Sequence, residues 1–128
     1  MSLCIRPQDT PRFPGGADAS KGLTDGLLVD RKGSRSRAAY VGTHRMKLIR
    51  QTYLPGGRHF PHEHATTEQA YYLISGRARV RIGAEVFVVE AGTVFYIPPK
   101  TEHEVENIGD EPLVNLLICG DLDESEVA

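Results

Sequence analysis

Two cysteines, Cys4 and Cys119, are all the thiol this 128-residue chain carries. That is too few for a disulfide framework or a thiolate metal cluster, and they read as reduced thiols. No apolar run approaches the ~18 residues of a membrane span. The N-terminal MSLCIRPQDTPRFPGG meets Arg and Pro before any signal-type apolar region forms, so the expectation is a cytoplasmic protein off the membrane. Charge of one sign is also missing: the formal net charge is −2, which gives no electrostatic case for nucleic-acid binding. The sequence has no internal repeat, no Gly-rich phosphate cradle and no calcium-loop spacing in Gly120–Glu124. Ser75 has no local nucleophile partner. Tryptophan is absent altogether.

Glycine and proline are plentiful instead, 13 and 8 residues, as suits many short elements joined by tight turns. Residues 1–40 are interrupted by them throughout and read as an irregular N-terminal arm with one short strand at Gly26–Asp30. Arg31–Arg37 packs four basic residues into seven, either a solvated loop or an anion-binding or subunit-contacting one. From Tyr40 onward strands follow in close order: 46–53, 69–75, 77–82, 85–89, 94–97, 103–107 and 113–118. In Arg77–Ile82 the alternation is strict, three arginines on one face against Ala78, Val80 and Ile82, a period of two that no helix has. Turn signals roughly every ten residues indicate an all-β antiparallel sandwich or barrel over residues 41–120. Residues 121–128 form an acidic tail expected to fray.

Three of the five histidines lie within six residues, in GGRHFPHEHATTEQAYY. On a strand, His62 and His64 point to one side together with Phe60, while His59 points away. Neutral imidazoles suit Zn, Mn, Fe or Ni. His44 and His59 fit no pattern and read as surface residues.

The spacing Gly56, His62, His64, Gln69, Gly76 resembles the first signature motif of the cupin family, and Gly92, Pro98, His103, Asn107 resembles the second. Arg77–Ala91 separates the two, as in compact microbial members. The resemblance covers about residues 46–118 and implies a double-stranded β-helix, an RmlC-like jelly roll, with one divalent transition metal held by His62, His64, His103 and a fourth ligand. It also makes Asn107 a candidate support for the pocket. Two positions depart from the family pattern. Lys100 stands where the second motif usually has Gly, which should alter a turn at the rim. Counting back from Gly76 puts Gln69, rather than the usual Glu, at the fourth-ligand position. Glu68 takes that place only if a bulge at Thr66–Thr67 re-aims it.

Three imidazoles and an amide would leave the cation's charge uncompensated, favouring Lewis-acid chemistry on a small anionic or hydroxylated molecule. That points to an isomerase, lyase or cyclase. A cupin dioxygenase and a non-catalytic ligand- or metal-binding module are the alternatives. Around the metal, Tyr71 and Tyr96 are candidate proton-transfer groups, or else amphipathic core residues. Arg50 and Arg58 are candidate partners for a substrate carboxylate, or else part of a solvated face. An open sheet edge beside the arm suggests a homodimer formed by strand exchange.

Overall fold

The computed structural model describes residues 4–6, 8, 13–14, 22–31, 42–58 and 61–127. The expectations for His59, Phe60 and the basic stretch after Arg31 fall outside these residues. The strands are β1 (Phe13–Pro14), β2 (Gly22–Arg31), β3 (Gly42–Thr43), β4 (Met46–Tyr53), β5 (Thr67–Ser75), β6 (Arg77–Ile82), β7 (Glu85–Glu90), β8 (Val94–Ile97), β9 (His103–Asn107) and β10 (Leu113–Asp121), followed by the short helix α1 (Glu124–Val127). One sheet runs β1-β2-β4-β10-β5-β8 with β3 added beside β2; the other runs β7-β6-β9. Their inner faces share one apolar core, with Leu73, Leu113 and Tyr71 from the large sheet meeting Ala78, Val80 and Val105 from the small one. The architecture is a double-stranded β-helix jelly roll.

The strand β6 shows how sequence becomes register. Ala78 and Val80 are fully buried, and the alternate arginines face outward onto neighbouring strands. Arg77 pairs with Glu90 at 3.9 Å, Arg79 with Glu104 at 3.4 Å, and Arg81 with Glu102 at 2.8 Å. Cross-strand pairs of this kind are worth little individually at a solvated surface. They do oppose a one-residue slip, which would bury three arginines.

Glycine is required at the β5–β6 turn. Gly76 has φ +92°, and a Cβ there would lie 2.8 Å from the Leu113 Cα and 2.9 Å from the Pro112 carbonyl oxygen. Two segments are more ordered than the sequence suggested. Within the arm, β2 runs ten residues and pairs antiparallel with β4 of the same chain. Past β10, where fraying was expected, Glu124–Val127 forms a short helix, and Arg45 ion-pairs with Asp123 and with Glu126, each at 3.2 Å.

Candidate metal centre

The triad is assembled by backbone pairing between distant segments. His62 lies outside any continuous strand, in an isolated bridge with His103. Its N–H donates to the His103 carbonyl at 3.1 Å, and the His103 N–H returns the bond at 2.9 Å. His64 is fastened differently: its carbonyl accepts the Lys100 N–H at 2.7 Å. His62 and His64 therefore share a side, as parity suggested, although the device is a bridge and a turn. The His62 and His103 ring centroids are 4.2 Å apart, and those of His62 and His64 are 5.1 Å apart. One donor nitrogen from each of the three rings lies within 4.8 Å of the others.

His103 carries the clearest chemical signal. Its Nδ1 is 2.9 Å from the Thr101 carbonyl oxygen. A carbonyl only accepts, so Nδ1 bears the hydrogen and the neutral ring leaves its lone pair on Nε2. That Nε2 is buried with no hydrogen-bond partner among the described residues. Burial, reinforced by the neighbouring His62 and His64, lowers the His103 pKa to about 4, against the upward pull of the Thr101 carbonyl. The ring thus stays neutral at ordinary pH, the form that ligates metals.

The next strand presents Gln69 and Glu68 to opposite faces. Gln69 is 5% exposed; its Nε2 donates to Cys119 Sγ at 3.4 Å, and its Oε1 is buried without a partner among the described residues. Glu68 faces outward and accepts the Tyr96 hydroxyl at 2.8 Å. The β5–β10 register runs unbroken from Thr67↔Asp121 to Leu73↔Asn115, so no bulge within the paired stretch re-aims Glu68. The three clustered imidazoles, with His103 Nε2 left unpartnered among the described residues, could hold a divalent transition cation.

Other sequence candidates do not gather at the triad. Tyr96 alternates outward on β8, half-exposed, and its bond to Glu68 raises its pKa. Arg58 pairs with Glu106 at 3.7 Å on the outer side of β9, opposite in parity to the buried His103 and Val105. Arg50 alternates with the buried Ile49 and Gln51 and so belongs to the outer face of β4. Tyr71 does face inward, fully buried and stacked on Phe95 at 4.7 Å. Burial drives its pKa far upward, which makes it a permanent phenol donor rather than a base.

Asn107 shares the inner face of β9, but it fastens the opposite end of the barrel. Its Nδ2 donates to the Tyr53 and Glu111 carbonyls at 2.9 and 2.8 Å, and its Oδ1 accepts the Gly109 N–H at 2.9 Å. Lys100 also corrects the sequence reading. Its φ of 59° is a left-handed conformation that ordinarily favours glycine, and from this strained turn its N–H still supports His64. Two contributors escaped sequence reasoning. Cys119 was detectable, since it extends the inward alternation Leu113, Asn115, Leu117. Thr101 acts through its backbone carbonyl and left no residue-type signal.

The chain belongs to the cupin family: the family model described as "Cupin domain" matches residues 49–119, more than half of its length. It is 44% identical over 75 residues to oxalate decarboxylase OxdC of Bacillus subtilis, covering 55% of this chain and 20% of that protein. It is 38% identical over 64 residues to glucose-6-phosphate isomerase of Thermococcus onnurineus, covering 44% and 34%. A solved RmlC-like cupin from Shewanella frigidimarina superposes with a TM-score of 0.71 over 99% of this chain and 97% of that one; at 15% identity it speaks to the fold alone. The chain spans no more than half the length of the curated relatives it matches.

Proposed function

We propose that the chain is a metal-dependent cupin enzyme. His62, His64, Gln69 and His103 would hold one divalent transition cation, and the substrate would be a small anionic or hydroxylated molecule. The observation that carries this reading is the His103 Nε2: neutral, oriented by Thr101, buried and, among the described residues, unpartnered beside two further imidazoles. A buried acceptor left unpaired costs roughly 1–3 kcal/mol, a cost that coordination removes. When bound, the cation would supply Lewis-acid polarisation of a ligand oxygen. The protein's own part is to orient the rings and to withhold a carboxylate, because Glu68 faces away while Gln69 brings a neutral amide. That supports isomerase, lyase or cyclase chemistry over the dioxygenase alternative, since it leaves no His-carboxylate triad. Kinship with proteins named as a decarboxylase and a sugar-phosphate isomerase supports the same reaction classes.

The outward placement of Tyr96, Arg50 and Arg58 favours a second reading, a non-catalytic ligand-binding module. Metal analysis of protein purified without a chelating tag tests the centre itself. We expect about one transition metal per chain, with most of it lost in His62→Ala; full occupancy in that variant overturns the ligand set.

Two further expectations belong here. No helix among the described residues is long and apolar enough to cross a membrane, and we propose a cytoplasmic protein. We also propose a homodimer of twice 14.1 kDa using the N-terminal arm, with β2 and β3 extending the sheet toward a second copy. Light scattering on the full chain tests this; a monomer at micromolar concentration removes the idea.

A further inference from the structure

Along one side of the jelly roll the two sheets do not close. The edge strands β7 and β8 leave a cavity of about 400 Å³ between them. The register makes its β7 wall an inner surface, while the outward Val94 and Tyr96 form its lip on β8. Phe87 is the cross-strand partner of Val80, Val89 of Ala78, and Glu85 of Ile82, so these β7 residues lie on the core side of the small sheet. Phe87 is nonetheless 41% exposed, a large apolar side chain on an inner wall that nothing among the described residues covers. Val80, Ile82, Val89 and Phe95 complete an apolar lining.

The cavity adjoins the triad, although no triad histidine is part of its lining. Ile82 pairs directly with His103, and side chains of such a pair lie about 5 Å apart on the same face. On the opposite wall, the lining residue Pro98 follows Ile97, which is the cross-strand partner of Gln69. Two residues of the lining therefore neighbour proposed metal ligands.

Its charge is as informative as its shape. Among the described residues, the one charged side chain in the lining is Glu85, and no Lys or Arg lines it. The nearby arginines of β6 lie on the outer face, committed to Glu90, Glu102 and Glu104. A phosphate or dicarboxylate entering here would meet an acidic group and no cation to offset its desolvation. Small-ligand sites are mostly apolar with a few convergent polar groups, and this cleft fits that description.

We propose that the β7–β8 cleft seats the neutral, apolar body of the ligand and leaves one hydroxyl or carbonyl oxygen to reach the histidine triad. This rests on the metal-centre reading above. It selects a hydroxylated or ketonic molecule with an aromatic or aliphatic body, against a sugar phosphate or a small dicarboxylate.

The test uses 2-naphthol and glucose 6-phosphate as probes on the full chain, loaded with zinc, with methyl resonances of Val80, Ile82 and Val89 as the readout. 2-Naphthol should shift these methyls. Phe87→Ser should weaken its binding at least about fivefold by removing half-exposed apolar contact. Glucose 6-phosphate at equal concentration should leave them unmoved. Should Phe87→Ser not fold, Glu85→Lys at the cleft gives an independent arm: it should improve binding of 2-naphthoate at least about fivefold over wild type by reversing the charge. The proposal is overturned if glucose 6-phosphate moves the methyls, if 2-naphthol does not, or if binding ignores the substitutions. Elemental analysis of the same samples reads the metal centre separately. Zinc retained with no 2-naphthol response condemns the cleft alone, whereas a 2-naphthol response in protein that retains no zinc after loading supports the apolar cleft and, through the lost zinc, counts against the metal reading.

Discussion

His103 and Asn107 stand on one face of one strand, both almost completely buried, and they have opposite hydrogen-bond balances. Asn107 spends both its polar atoms on backbone groups of three residues. His103 spends one nitrogen on Thr101 and leaves the other unpaired among the described residues. The satisfied end of the barrel is architecture: its polar group replaces water for a turn that would otherwise be starved of partners. The unsatisfied end is the proposed site, because an uncompensated lone pair is tolerated where a ligand completes it. Burial alone does not separate the two. Gln51 and Asn115, cross-strand partners deep in the large sheet, also hold unpaired atoms, but no convergent ring donors accompany them.

Substitution at each end should break different properties. His103→Ala should lower metal affinity by more than about 100-fold, beyond the 10–100-fold typical of residues behind the ligands, and leave the fold standing. Asn107→Ala should leave metal stoichiometry intact and cost about 3 kcal/mol in urea denaturation, because three backbone groups lose partners. If Asn107→Ala sheds metal from folded protein, the division between the ends is wrong. Gly76→Ala, also at the architectural end, should cost about 2 kcal/mol or more, from a disallowed φ and a backbone clash.

Acid should distinguish the ends again, in metal-free protein. The folded His103 titrates near pH 4, and its ordinary value is 6.5. Between those values the unfolded chain binds more protons, so stability should fall as pH drops from 6.5 toward 4. His103→Gln should flatten that slope in denaturation curves taken across the window, whereas Asn107→Ala should not change it.

Smaller effects sharpen the picture along β5 and the rim. Gln69→Glu should keep or tighten the metal by adding Coulomb attraction, while Glu68→Gln leaves content unchanged; titration with a competing chelator measures both. The reverse result would mean that the outward carboxylate is the ligand. Lys100→Gly should stabilise the fold by about 1 kcal/mol or less, strain relief being partly offset by chain entropy. A calorimetric scan showing a clear loss would indicate that the lysine side chain contributes more than its backbone.

Most of this was legible in the residues. The strict alternation of Arg77–Ile82, the turn signals at Gly76, Gly83 and Gly92, and the spacing of His62, His64 and His103 each state a local rule that the fold obeys. Tyr96, Arg50 and Arg58 were harder, because parity within a strand fixes which residues share a face but not which face is inner. Tyr96 goes outward because Phe95 and Ile97 supply the apolar side. The arm misled for a different reason. Gly22 and Gly26 are poor strand formers, yet long-range pairing with β4 holds β2, and no local pattern reports a partner so distant in sequence. Lys100 shows the limit of reading a motif position by residue type, since the turn kept the glycine conformation without the glycine.

The His62–His103 bridge also dictates an order of events. It joins segments far apart in the chain, and such pairings form late because their loop-closure entropy must first be met. The donor nitrogens therefore meet only after both sheets have come together. In a zinc finger the ion templates the fold; in this barrel the fold would come first, and an ion held by the triad would be a passenger admitted afterwards. The choice among metals would then fall after folding, to whatever ions surround a finished cup.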